Sequence, residues 1–171
     1  MASKIQLKPG LSVDVIKTIS ALKNEPKWML EFRLNAYKVF KEKKNPNWGP
    51  DLKFLNFNDY IYYASSLGSD YVKTDWKDVP KKIKKIFEEL KVPENEAKYF
   101  SGAHDQYDSE TVYSRIKKEL EEKKVIFTNI ETAVREHPEL VKKYFGKLIP
   151  PTDNKYAALN SAVWSGGSFV Y

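Results

Sequence analysis

The sequence predicts a mainly α fold with few short strands. Apolar residues recur at three- and four-residue spacing along most of the chain. Ser, Asp, Asn and Pro stand where helices would begin. Runs rich in β-branched and aromatic residues are confined to two short stretches, Val125-Ile126-Phe127-Thr128 and Ser168-Phe169-Val170-Tyr171. The expected division is a helical domain over residues 1–150 and the cut-off start of a second over 151–171.

Ser12 is the first N-cap, and Val15, Ile16, Ile19 and Leu22 follow at helical spacing. Asn24-Glu25-Pro26 ends that helix and opens the next, since Pro is tolerated in a first turn. The second helix is expected from about Pro26 to Lys43, with Trp28, Met29, Phe32, Ala36, Val39 and Phe40 as its apolar stripe. Lys41, Lys43 and Lys44 sit near its end, where cations complement the macrodipole. Asn45-Pro46-Asn47-Trp48-Gly49-Pro50-Asp51 is a break. Aromatic chain follows (Phe54, Phe57, Tyr60, Tyr62, Tyr63, Tyr71), with a short helix expected near Asp59–Ala64.

Asp78-Val79-Pro80 opens a helix carrying Ile83, Ile86, Phe87 and Leu90 on one face, and Pro93 begins another that ends near Ser101-Gly102. Ser109 or Asp108 is read as the cap of a long helix burying Val112, Tyr113, Ile116 and Leu120. The strand at 125–128 leads to a helix capped by Thr128 or Asn129, and Pro138 starts a last one that reaches Gly146. Beyond Pro150-Pro151 the charged residues are only Asp153 and Lys155. Ala157, Ala158, Leu159, Ala162 and Val163 suggest a short buried helix or extended segment, and Ser165-Gly166-Gly167 a turn. The strand at 168–171 is expected to lack its partner, and the last twenty residues, 152–171, to pack poorly or to associate with copies of themselves.

Composition narrows the chemistry. The chain has no cysteine, which removes a disulfide framework, a thiolate metal site and a thiol nucleophile within it. His104 and His137 are its two histidines. The net charge of +6 admits nucleic acid or an anionic surface as partner, but the excess is dispersed. Lys outnumbers Arg 26 to 3, and Arg is the better residue for forked phosphate and guanine contacts. No stretch approaches the roughly 20 apolar residues of a membrane span. The N-terminus lacks a secretory layout. A cytoplasmic location is expected, or an organelle stroma such as the plastid's if the chain is processed.

Individual side chains give no catalytic, cofactor-binding or metal site. His104 has Asp105, Asp108 and Glu110 nearby, which read as caps where a loop enters a helix. His137 precedes Pro138 at a junction. Lys81, Lys82, Lys84 and Lys85 interleave with Ile83, Ile86 and Phe87 and form the solvated face of an amphipathic helix. Gly166-Gly167 lacks the flanking pattern of a phosphate loop, and Ser165 and Ser168 have no evident base. The aromatic stretch at 54–71 could stack bases, and more often makes a core or a docking surface. The chain is expected not to be an enzyme.

Several runs carry a resemblance. Leu22-Lys23-Asn24-Glu25-Pro26-Lys27-Trp28-Met29-Leu30-Glu31-Phe32-Arg33 is similar to the N-terminal part of scaffold proteins of the SufB/SufD family, SufB in particular. Trp48-Gly49-Pro50-Asp51, Ile61-Tyr62-Tyr63, Gln106-Tyr107-Asp108-Ser109-Glu110, Glu136-His137-Pro138-Glu139-Leu140-Val141 and Tyr144-Phe145-Gly146 follow in order. The longest match runs from Asp153 to Tyr171 through Asn160-Ser161-Ala162-Val163-Trp164-Ser165-Gly166-Gly167. The likeness spans about Gly10 to Tyr171. Ala103-His104-Asp105 departs from the family pattern, and 64–76 shows no motif match.

The resemblance implies the N-terminal helical part of a longer iron–sulfur cluster assembly scaffold, followed by the cut-off first strand of a right-handed parallel β-helix. It implies SufD and SufC as partners of the full-length protein and a cysteine desulfurase system as sulfur donor. It implies an iron–sulfur cluster assembled on the intact scaffold, with none of its ligands in this chain. Persulfide acceptance and iron binding need a soft thiolate, which this chain lacks. The expected role is therefore structural or docking. The alternative is a small basic helical module that binds nucleic acid with steep salt dependence.

Overall fold

The computed structural model describes residues 5–65, 73, 75–89, 102–116 and 118–171. It is mainly helical, with a few short strands. The helix expected from Pro93 to Ser101, and the positions Leu90 and Tyr71, lie outside the described residues. Packing divides the chain into two units, each discontinuous in sequence. One comprises Gln6–Ala64 and Val134–Ser165; the other comprises Met1–Ile5, Ser65–Ala133 and Gly166–Tyr171. The division expected at residue 150 follows composition, whereas residues beyond it contribute to both packing units.

The centre of the first unit is built on three of its helices. α1 (Val13–Leu22) starts at Ser12, whose Oγ accepts from the Val15 N–H at 3.2 Å. It stops where Asn24 takes a left-handed backbone, φ 49°, a conformation Asn tolerates better than most residues. Pro26 then caps α2 (Lys27–Glu42) without a side-chain hydrogen bond. α7 (Lys155–Val163) begins at Asn154, whose Oδ1 accepts from the N–H groups of Tyr156 and Ala157 at 2.8 and 3.0 Å. Ala158 and Ala162, one turn apart, are fully buried, as is Ala36 on α2. Small side chains at these positions let α2 and α7 approach closely. Ile16, Ala36 and Ala162 form the centre, ringed by Leu11, Leu30, Leu34, Tyr37 and Val163. Full burial of a side chain such as Ile16 or Met29 contributes roughly 1.5–3 kcal/mol.

α6 (Pro138–Tyr144) belongs to the same unit. It carries Pro at its first position after His137, as a helix start favours.

The helix expected near Asp59–Ala64 does not form. Residues 55–63 are turns and extended chain, ending in β2 (Ala64–Ser65), which pairs with β1 (Ile5–Gln6). Two backbone carbonyls of this stretch are taken by the chain that follows β1: Leu7 N–H donates to Tyr63 O at 3.1 Å and Gly10 N–H to Tyr60 O at 3.0 Å. Asn56 competes as well, its Oδ1 accepting from Asn58 N–H at 3.1 Å.

The second unit mixes α3 (Lys81–Glu89) with strands. A 3-10 turn, Trp76–Asp78, precedes α3, and the Asp75 carboxylate caps it at Lys77 N–H, 2.9 Å. Val79, Ile83, Phe87 and Val112 make the core, with Trp76 and Tyr107 packed against it. Lys81, Lys82 and Lys85 face solvent, as the amphipathic pattern predicts.

The long helix expected after Asp108 is replaced by a hairpin. β3 (Gly102–Tyr107) and β4 (Glu110–Ile116) pair antiparallel, from Tyr107 opposite Glu110 to Gly102 opposite Ile116, with a register shift between Asp105 and Gln106. Asp108 is not a cap; it turns the hairpin with φ 55°. The misreading has a physical cause. Residues four apart share a face in a helix and in a strand alike, so Val112 and Ile116 fit both. The β-branched and aromatic run Thr111-Val112-Tyr113 decides for the strand. Only the end of the expected helix is helical, as α4 (Lys118–Glu122).

β5 (Phe127–Asn129) leads into α5 (Ile130–Glu136), and the Asn129 Oδ1 accepts from Thr132 N–H at 2.6 Å, as its expected capping role requires. β6 (Ser168–Val170) pairs antiparallel with β5, from Phe127 opposite Val170 to Asn129 opposite Ser168. Ile126 and Tyr171 extend the ladder by exchanging both backbone hydrogen bonds at 2.9 Å. The expectation of a C-terminal strand without a partner is thus corrected. So is that of poor packing beyond residue 151, because α7 is among the best buried elements of its unit.

Candidate functional site

Two of the runs that resemble the SufB/SufD family, Leu22–Arg33 and Asp153–Tyr171, meet at one buried guanidinium. Arg33 falls on the Met29–Ala36–Phe40 face of α2, all four being buried. Its Nε donates to Glu25 Oε2 at 2.8 Å and its Nη2 to Glu25 Oε1 at 2.6 Å. The side chains of Arg33 and Glu25 are 0% and 1% exposed. Nη1 donates to the Ala162 carbonyl at 3.2 Å, and the guanidinium lies 4.4 Å from the centroid of the Trp164 ring. Charge, planar stacking and a forked hydrogen-bond pair are satisfied together, a combination that Arg offers and Lys does not. The Glu25–Arg33 segment is thereby tied to the Asp153–Tyr171 segment.

Aromatic rings continue the contact. Trp164 packs on Phe145 at 5.1 Å, and Phe145 meets Phe32 edge-on at 5.4 Å. Gly146 follows with φ 65°, and a Cβ there would stand 2.9 Å from Phe32 Cζ. Both the backbone angle and the close ring require glycine.

Lys155 closes the far end of α2. Its Nζ donates to the carbonyls of Phe40 and Lys43 at 2.9 and 2.8 Å, and lies 4.4 Å from the Phe40 ring centroid. These carbonyls have no further helical N–H, so the cation satisfies the C-terminal end. Burial lowers the Lys155 pKa from 10.5. Beside it, Phe57 stacks edge-on against Phe40 at 5.0 Å. Part of the aromatic stretch is therefore core, and so is Tyr63, 1% exposed.

The Trp48-Gly49-Pro50-Asp51 motif lines an open groove of about 420 Å³, bordered by Asn45, Leu52, Lys53 and Tyr156. Trp48 and Phe54 are exposed.

In the strand-containing unit, Gly166 N–H donates to Glu131 Oε1 at 2.7 Å. Gly166 and Gly167 have φ of 68° and 127°, and a Cβ on Gly166 would overlap the Gln106 side chain. This pair is a packed turn, as its lack of a phosphate-loop context predicts.

Of the other residues weighed, Glu110 is buried and His137 is the N-cap of α6 without a side-chain cap bond. His104 and Asp105 lie on β3 opposite Ser114 and Tyr113. No cluster of three or more His, Cys, Asp or Glu suited to a metal occurs among the described residues. No helix among them is long and apolar enough to cross a membrane. The chain has no cysteine and so supplies no thiolate. Arg33, the centre of the site, was not singled out by sequence reasoning. Its signal was a charge on an apolar helical stripe.

Residues 17–171 match the family model described as the SufBD protein N-terminal region. The chain is similar to iron–sulfur cluster assembly SufBD family proteins of Staphylococcus haemolyticus strain JCSC1435 and of Staphylococcus aureus strains USA300 and NCTC 8325. Each is 50% identical over 162 residues, covering 95% of this chain and 34% of the relative. The chain thus spans about a third of the length of these relatives.

Proposed function

On the premise that the chain belongs to the SufBD family through its N-terminal region, we propose that it is the structural and docking segment of a SufB-like scaffold for iron–sulfur cluster assembly. One observation carries the reading. Glu25, Arg33, Ala162 and Trp164, all within runs that carry the family likeness, are engaged in packing around one guanidinium, not in a reactive centre. Sulfur acceptance and iron binding then fall to thiolates elsewhere in the scaffold, because soft ligands are needed and this chain has none. The segment itself is non-catalytic. The cluster is the cargo of the assembly.

SufD-like and SufC-like subunits and a cysteine desulfurase system are the partners this reading assigns to the whole scaffold, and the cytoplasm or an organelle stroma is its place. The similarity to iron–sulfur cluster assembly proteins of the SufBD family supports a place in that assembly system. A chimera tests the reading. This chain replaces the corresponding N-terminal region of a staphylococcal SufBD protein in cells depleted of the native one. Iron–sulfur enzyme activity is expected to return. A chimera that accumulates and folds but restores nothing would sink the proposal.

A further inference from the structure

The turn after α6 presents an apolar tip that the Arg33 packing does not use. Leu148 is 95% exposed, Ile149 64% and Tyr144 49%. These three large apolar side chains stand exposed within six residues, clustered rather than scattered singly. The tip is held, not loose. Phe145, just before it, is anchored on Phe32 and Trp164. Lys147 N–H donates to Tyr144 O at 3.2 Å and Asp153 N–H to Pro150 O at 2.9 Å. Gly146 and Pro150-Pro151 fix the backbone on either side. The flank is basic: within residues 139–149 Lys142 pairs with Glu139 at 2.9 Å, and Lys143 and Lys147 remain as the cationic excess.

We propose that the turn Tyr144–Ile149 is a docking prong for a partner protein that offers an apolar socket rimmed by carboxylates. An apolar centre with a polar rim is the usual anatomy of a protein contact. The rim here is cationic, so its complement is acidic. A preset turn also lowers the ordering cost of binding, which matters for a shaped socket. A fluid anionic bilayer would take the same residues without needing a fixed turn. The proposal rests on the reading of the chain as a docking segment.

A photoreactive residue at the tip, Leu148→p-benzoylphenylalanine, tests it in the full-length protein in its own cells. The position is fully exposed, so folding is unaffected. The expected product is a crosslink to a protein, mapped to a peptide with Asp or Glu beside aliphatic residues. Adding Lys143→Glu and Lys147→Glu should cut its yield roughly tenfold through like-charge contact. No crosslink, one to lipid, to a second copy or within the chain, or one indifferent to the charge reversal, overturns the prong. A charge-sensitive socket on a protein outside iron–sulfur assembly keeps the prong and overturns the functional reading. A working chimera without such a crosslink does the reverse.

Discussion

Arg33 and Glu25 form a two-pronged ion pair with both side chains removed from solvent. The pair sits where α2 begins and is closed by the Ala162 carbonyl and the Trp164 ring. Arg33→Met leaves the Glu25 carboxylate buried without its partner. The expected loss is about 3–5 kcal/mol in urea unfolding. Arg33→Lys rescues little, because an ammonium cannot fork or stack as the guanidinium does. A lysine variant as stable as the parent would contradict the geometry.

Gly146 and Gly166 are both required by conformation and by space. Gly146→Ala meets Phe32 as well as an unfavourable φ, and a loss of roughly 1–3 kcal/mol is expected. Gly166→Ala meets Gln106, so pairing it with Gln106→Gly should recover the steric part but not the part due to φ. Denaturation midpoints of the single and paired variants separate the two. Full recovery would show that φ costs nothing there.

Lys155 titrates below the ordinary lysine value of 10.5 because burial disfavours its charge. The folded chain therefore loses this proton at lower pH than the unfolded chain. Between the lowered value and 10.5, unfolding takes up a proton, and this group's contribution to stability rises with pH across that window. Nitrogen NMR of the Lys155 ammonium reads the shift directly. Lys155→Met frees the Phe40 and Lys43 carbonyls and should fray the end of α2, seen as faster amide exchange there.

Helix and hairpin differ sharply over 110–116. In the hairpin, amide protection alternates along β4, because successive N–H groups point to and away from β3. A helix would protect the amides continuously. Asp108→Gly, at φ 55°, should be neutral or mildly stabilising. Val112→Ala should cost about 1–3 kcal/mol through the core of Val79, Ile83 and Phe87.

What was readable in the sequence was local. Ser12, Asn129 and Pro138 mark helix starts because a cap acts on the next three residues. The lysines of α3 face water because their spacing alone sets the face. The 110–116 stretch reads as helix because Val112 and Ile116 satisfy two periods at once. The strand at 168–171 reads as partnerless because β5 lies about forty residues away in sequence and only pairing in space reveals it. The role of Arg33 is hidden for the same reason: its carbonyl acceptor, Ala162, is 129 positions on. The family motifs did mark these residues, but their packing role is legible only once the segments touch.

The central claim is that the shared residues act by architecture and not by chemistry. In the staphylococcal chimera, Glu25→Leu together with Arg33→Met replaces the buried charges by apolar volume, which such sites commonly tolerate. The account predicts a folded chimera that still restores iron–sulfur enzyme activity. A chimera that keeps its unfolding midpoint yet loses that activity would contradict it and give the pair a role in the chemistry.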